Sequence, residues 1–245
     1  PDRDGALVAD GTGGEIAFTS GAGSPAAGDW RGIVFNKRVL PTTVLDNVRV
    51  QYAGGGDATA SVRIEGEIGR IHNSTISNGA AAGVYFGYAG YAVNGFATNT
   101  VAGHASNPVA VFPHYVPYLL GGNSLTGNGA DAIRVGSSSS ATEGRWRNFG
   151  IPYEIMGPVE FWADTTLEPD LTLIIHGSVK VADFSARPFL TVGHGSTLKF
   201  DPDTGLTIGE SGPADAEGGI VASGASGTIT FTSNSPSPAP GDWNG

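Results

Sequence analysis

Short β-branched runs between glycine-rich bends, a 213-residue internal repeat and a second spacing near 25 residues predict an all-β chain wound as a parallel β-helix. The chain has 245 residues, with 39 Gly and 15 Pro, no Cys and one Met; 40% of it is hydrophobic and 15% charged. Glycine stands at more than twice its usual share of about 7%, as a chain with a bend every few residues requires. The apolar content is enough to build a core, which argues against global disorder. Runs of three to five residues at 48–50, 62–64, 83–86, 109–112, 133–135, 173–175, 179–181 and 198–200 read as strands, with Gly, Asn, Ser, Asp and Pro between them. No stretch sets apolar residues at helical spacing between caps, so helix is a minor component.

The long repeat is the strongest signal. Residues 5–32 and 218–245 align without a gap at an offset of 213 and share 16 of 28 residues. Asp2-Arg-Asp4 and Asp215-Ala-Glu217 extend the match upstream. Residues 1–32 and 214–245 are then equivalent, 33–213 complete one period, and 1–245 reads as one continuous β-helix. The expectation is a segment of a longer tandem array that begins and ends at equivalent points.

The shorter spacing fixes the expected winding. Asn47, Asn73, Asn99 and Asn123 lie 26, 26 and 24 residues apart, which suits one coil of two or three short strands joined by sharp bends. Each strand would stack on its equivalent in the next coil at about 4.8 Å. Asparagine tolerates positive φ and bonds its own backbone at such bends, and stacked asparagines would form a hydrogen-bonded ladder.

These residues carry a resemblance. Phe18, Thr19 and Ser20 followed by Gly28, Asp29 and Trp30, and again Phe231, Thr232 and Ser233 followed by Gly241, Asp242 and Trp243, look like the signature of right-handed parallel β-helix repeat proteins of bacterial surfaces. The stretches at 46–54, 153–159 and 171–181 resemble coils of the same family, although Glu168-Pro169 before the strand at 171 departs from its usual wording. The resemblance covers nearly the whole period. It implies a right-handed β-helix, a secreted or surface setting and a structural role as stalk, fibre or adhesin, and it implies no catalytic residues.

Each motif has a functional and a structural reading. An exposed Trp beside the Asp of Gly-Asp-Trp could stack on a sugar; alternatively the Asp caps amides at the bend while the Trp covers a coil edge. Arg145, Trp146 and Arg147 are candidates for an exposed patch meeting an acidic glycan, or a solvated face. Tyr115 and Tyr118, among Pro108, Pro113 and Pro117, suggest a loop leaving the coils and a contact patch, or an irregular coil with buried aromatics. Asp201 and Asp203 resemble half of a Ca²⁺ loop, as do Asp2 and Asp4, or they form a solvated turn.

Several classes fall away. Thirteen Lys and Arg against 23 Asp and Glu leave a formal charge of −10 with no basic block, a poor fit to nucleic acid. No apolar run approaches the roughly 20 residues of a membrane span. Zero Cys removes thiolate metal sites and Cys nucleophiles. Gly193-His194-Gly195 superficially matches polygalacturonases, which share the fold, but the paired carboxylates that glycoside hydrolysis needs are missing from the sequence around it. The five His show no metal spacing, and no Thr-x-Thr array marks an ice-binding face. The expected function is therefore a non-catalytic extracellular structural unit without a cofactor, Ca²⁺ being the one weak candidate. Its expected partners are neighbouring repeats or copies of itself. The alternatives are a polysaccharide-binding module or a carbohydrate-active enzyme on the same scaffold.

Overall fold

The computed structural model describes residues 4–87, 90–210 and 215–244, and the chain is all-β with parallel sheets. Asp2 and Gly245, which belong to the repeat, lie outside the described residues. Among the described residues, 27 short strands are joined by bends, and the one helix is a 3₁₀ turn at Pro113–Tyr118. No helix among them is long and apolar enough to cross a membrane. Strands pair with partners 20 to 36 residues away, and the strand ladders are parallel, as bends without hairpins require. Among the described residues, the isolated bridges Asp183 to Glu217 and Glu210 to Ala216 are antiparallel.

The chain divides into two compact units, one of Pro1–Val111 with Tyr118–Ile133, the other of Phe112–Pro117 with Arg134–Gly245. In the first unit, one stack consists of Val8–Asp10, Val44–Asp46, Arg70–His72 and Phe96–Ala97. A second contains Ile16–Phe18, Val48–Gln51, Thr75–Ser77 and Thr100–Ala102. A third contains Ile33–Phe35, Ala60–Ile64, Ala82–Phe86 and Val109–Val111. Alternation decides which side chains enter the core: in Val48–Gln51 both valines are buried while Arg49 and Gln51 turn outward. Like residues then stack in rows. Val50, Ile76 and Val101 form one row and Leu45, Ile71 and Phe96 another, all essentially without exposure.

Three strands of the second stack, Val48–Gln51, Thr75–Ser77 and Thr100–Ala102, are short because left-handed residues bound them. Asn47, Asn73 and Thr98 precede them with φ of 52°, 50° and 54°, and Gly122 continues that row at 81°; Tyr52, Asn78 and Gly103 follow at 61°, 56° and 71°. Amide bonds from Asn47 to the His72 carbonyl, from Asn73 to Ala97 and from Thr98 to Gly121 tie the first row together.

The single asparagine ladder expected at 47, 73, 99 and 123 is corrected by this arrangement: the four residues occupy two adjacent rows. Asn47 and Asn73 stand in the left-handed bend. Asn99 and Asn123 stand one residue later, beside Ser74, whose amide donates to Asn99 Oδ1 at 3.0 Å; the Asn99 amide donates to Asn123 Oδ1 at 2.9 Å. The cause is a change of register, since Val44 pairs with Arg70 26 residues on, whereas Ile71 pairs with Phe96 only 25 on. One residue of slip moves a side chain to the neighbouring row.

In that inner row the side-chain amides satisfy carbonyls that the bend leaves open. Asn99 Nδ2 donates to the Ile71 carbonyl and Asn123 Nδ2 to that of Phe96, each at 2.9 Å. Five residues further along the chain the same role falls to His104, with Nε2 3.0 Å from the Ile76 carbonyl, and to Asn128, with Nδ2 3.1 Å from that of Val101.

The second unit contains three stacks. Ser138–Ser140, Val159–Phe161, Val179–Val181 and Leu206–Ile208 form one. Gly144–Trp146, Thr165–Leu167, Phe189–Val192 and Gly219–Ala222 form another. Tyr153–Ile155, Thr172–Ile175, Thr197–Phe200 and Thr230–Ser233 form the third. Val179–Val181 shows the logic: both valines enter the core while Lys180 points outward between Glu160 at 3.0 Å and Glu210 at 2.9 Å. The Glu210 and Glu160 hydrogen bonds raise the Lys180 ammonium above its usual value.

Candidate functional site

The two copies of the repeated segment are where sequence and geometry converge. In the first, Ser20 Oγ accepts from the Ala22 amide at 3.0 Å and donates to Asp29 Oδ2 at 2.5 Å, while that carboxylate also accepts from the Ala26 amide at 2.9 Å. The Ser20 hydroxyl and the Ala26 amide hold the Asp29 carboxyl below its usual value. In the second, Ser233 Oγ accepts from the Ser235 amide at 2.9 Å and Asp242 Oδ2 from the Ala239 amide at 2.7 Å. The Asp29 and Asp242 amides bond Ala26 and Ala239 at 3.2 Å each. In both, a Ser and an Asp fold a Pro-containing excursion back on itself so that the Trp lands beside the neighbouring strand. Gly28 and Gly241 precede the pair with φ of 89° and 88°, a conformation that other residues enter only with strain.

Both tryptophans are half-buried. Trp30 Nε1 donates to the Gln51 carbonyl at 2.8 Å, and the Trp243 ring stacks on Phe200 at 4.5 Å and 10°. Phe18 and Phe231 are half-buried, Thr19 is exposed and Thr232 half-buried.

The two copies pair in opposite directions. Ile16–Phe18 lies on a strand 32 residues downstream, Ile16 opposite Val48 and Phe18 opposite Val50. Thr230–Ser233 lies on a strand 33 residues upstream, Thr230 opposite Thr197, Phe231 opposite Leu198 and Ser233 opposite Phe200. The acids at the start of each copy follow suit: Asp4 accepts from Arg38 Nε at 3.0 Å, downstream, and Glu217 from Arg187 Nη2 at 3.1 Å, upstream. Each copy stands at the edge of its stack. Beside the first copy, Leu7, Ile33, Val34 and Phe35 line a groove of about 890 Å³ with Lys37 and Arg63 at its rim.

The remaining sequence candidates are not drawn together. In Gly144–Trp146 the alternation exposes Arg145 and buries Trp146 completely, so the expectation of an exposed Arg-Trp-Arg patch is corrected. Trp146 is a core residue, 5.2 Å from Tyr153 and 5.5 Å from Phe161 between ring centroids. Arg147 is half-buried with Nη1 3.4 Å from the Pro117 carbonyl, and its own carbonyl accepts from the Tyr153 hydroxyl at 2.7 Å. Burial drives the Tyr153 phenol far above its usual value. Tyr115 and Tyr118 sit half-buried in the 3₁₀ turn rather than in a departing loop, Tyr115 against His114 at 3.8 Å and Tyr118 against Tyr91 at 5.1 Å.

At the Ca²⁺ candidate, Asp201 Oδ1 accepts from Asn234 Nδ2 at 2.8 Å and Oδ2 lies 2.7 Å from His176 Nδ1. Burial raises the Asp201 carboxyl, but those two bonds outweigh it and leave a value below the usual one. Asp203 is exposed in a left-handed turn, its carbonyl accepting from Asn244 Nδ2 at 3.1 Å. No three His, Asp or Glu side chains converge as a metal cluster among the described residues.

His104 was not singled out by sequence reasoning, yet it is a buried titratable group, with 3% exposure. The signal was available: Asn99 and His104 repeat the five-residue interval of Asn123 and Asn128. Burial pushes its imidazole below the usual value, the Ile76 carbonyl offsetting part of the shift. Its Nδ1 and Ser61 Oγ are buried without hydrogen-bond partners, beside Gly79, where a Cβ would meet both. Comparison of the chain with family models, with curated proteins and with solved structures returns no match.

Proposed function

We propose that the chain is a structural unit of an extracellular, tandemly repeated right-handed β-helix, and that its role is to extend a stalk, fibre or adhesin rather than to catalyse a reaction. The observation that carries this reading is the opposed pairing of the two repeat copies. A strand has two edges; the first copy uses one and the second copy the other. A single such rung inside an array would therefore be covered on both sides, by strands like Phe189–Val192 and Thr197–Phe200 before it and strands like Val44–Asp46 and Val48–Gln51 after it. The acid at its start would face an Arg187 equivalent on one side and an Arg38 equivalent on the other. Parallel pairing at intervals of 20 to 36 residues supports the solenoid. In a solenoid stability sums over neighbouring interfaces, and function is the geometry itself. The right hand and the surface setting rest on the resemblance of the Phe-Thr-Ser and Gly-Asp-Trp motifs.

The test is a fusion in which residues 33–245 follow residue 245, placing the second copy between two neighbours. Its urea midpoint is expected to exceed that of the single chain, whereas a fusion resuming at residue 133 breaks the register and gains nothing. Equal midpoints for the two fusions would refute the array.

A further inference from the structure

We propose that a second copy of this chain binds by strand exchange, its residues 4–32 taking the place of residues 217–244 on the strands Phe189–Val192 and Thr197–Phe200. The proposal uses the same repeat as the array reading but concerns separate molecules, and each can fail alone.

The covering of those strands is thin. Gly219–Ala222 is half to fully exposed along its length, and in Thr230–Ser233 only Ser233 is buried. The competing segment offers similar chemistry at the main apolar and charged contacts. Opposite Leu198 it brings Phe18 in place of Phe231; opposite Leu190, Leu7 in place of Ile220; for Arg187, Asp4 in place of Glu217; over Phe200, Trp30 in place of Trp243. Four contacts differ. Thr230, opposite Thr197, is replaced by Ala17, and Asn244, whose Nδ2 donates to the Asp203 carbonyl, by Arg31. Asn234, which donates to Asp201, is replaced by Gly21. Gly219, whose added Cβ would press on the edge of the Phe189 ring, is replaced by Ala6; that ring, 45% exposed, has to shift outward to admit it.

The incoming segment keeps its own partners while it binds, because it pairs with Val44–Asp46 and Val48–Gln51 through the opposite edge. Exchange therefore sacrifices one set of strand bonds and makes another.

The groove beside the first copy gives the exchanged pair somewhere to continue. Asn244 bridges Gly205 in parallel, and Arg31 is the repeat equivalent of Asn244. The same register sets Thr207 and Ile208 of one copy opposite Ile33 and Val34 of the other, along the groove those two residues line. It also brings Glu210 level with Asn36 and Lys37, whose ammonium makes no ion pair among the described residues. A strand edge, an apolar groove and a complementary charge thus fall in one register, which is strand addition with a specified occupant.

Cysteine pairs test the register, since the chain has no Cys of its own. Lys199 faces Thr232 within the chain, and Thr19 is the equivalent of Thr232. Lys199→Cys with Thr232→Cys is expected to close within one molecule, which also checks folding. Lys199→Cys with Thr19→Cys is expected to give disulfide-linked dimers whose fraction rises with concentration. So is Thr191→Cys with Val8→Cys, Thr191 facing Val221 within the chain. The off-register pair Lys199→Cys with Val8→Cys is expected to give at least five-fold less. If the first pair closes while the in-register pairs stay monomeric, or if the off-register pair dimerises equally, strand exchange is overturned while the array reading stands on its fusion.

Discussion

His104 shows how a single buried side chain ties pH to stability. Its Nε2 closes a carbonyl that Asn128, Asn99 and Asn123 close elsewhere with side-chain amides, so an amide is a chemically adequate substitute. Unlike an amide, it titrates. Its folded value lies below the roughly 6.5 of a free imidazole, so between the two values the unfolded chain binds more protons than the folded one. Stability is then complete above about pH 6.5 and falls as pH drops through that window. Urea midpoints at pH 7.5 and pH 5.0 are expected to show this decline, and His104→Asn is expected to shrink it while holding the midpoint at pH 7.5. An undiminished decline in the variant would place the pH dependence elsewhere. The residue was legible only through its interval from Asn99. Trp146 fails in the opposite way: Arg-Trp-Arg looks like a surface motif until its strand is assigned, after which alternation alone puts the middle residue inside.

At the scale of the element, the bends limit strand length. Short β-branched runs and abundant Gly made the all-β, parallel character readable; at 48–51, 75–77 and 100–102 the runs fit the interval between two left-handed residues. The row to which a bend residue belongs was not readable, since the interval falls from 26 to 25 between successive coils and one residue of slip transfers a side chain to the next row. Thr98 illustrates the consequence. It stands at φ 54° in the row of Asn47 and Asn73, a conformation in which a β-branched residue is an outlier. Its Oγ1 lies 2.7 Å from Asn73 Oδ1 and accepts the Asn73 amide at 3.3 Å. Asparagine meets both demands, so Thr98→Asn is expected to raise stability by about 0.5–1 kcal/mol. Thr98→Val keeps the strained shape without the hydroxyl and is expected to lower stability by about 1 kcal/mol. Chemical denaturation reads both, and the same sign for the two variants would show that the bend is indifferent to its occupant.

For the whole molecule, charge and strand pairing pull in opposite directions. The formal charge of −10 repels a second copy, and much of the positive charge is already spent: Arg38, Arg49, Arg63, Arg70, Lys180 and Arg187 are each paired with an acid. Exchange of one repeat segment for another conserves the backbone bonds and most apolar contacts, so the entropy of association and the net repulsion between copies are the opposing terms, and of these the repulsion is the one that salt changes. That repulsion acts over the Debye length, about 30 Å at 0.01 M salt and about 3 Å at 1 M, whereas strand bonds and apolar burial are little affected by screening. The two favourable pairs in the proposed register, Asp4 with Arg187 and Glu210 with Lys37, are exposed and worth little. Repulsion between whole molecules should therefore outweigh them. The yield of the Thr19→Cys and Lys199→Cys dimer is expected to rise several-fold between 0.01 M and 0.5 M NaCl at pH 7.5, measured by non-reducing electrophoresis at one protein concentration. A yield that falls over the same range would mean that the ion pairs, rather than the strand edges, hold the two copies together.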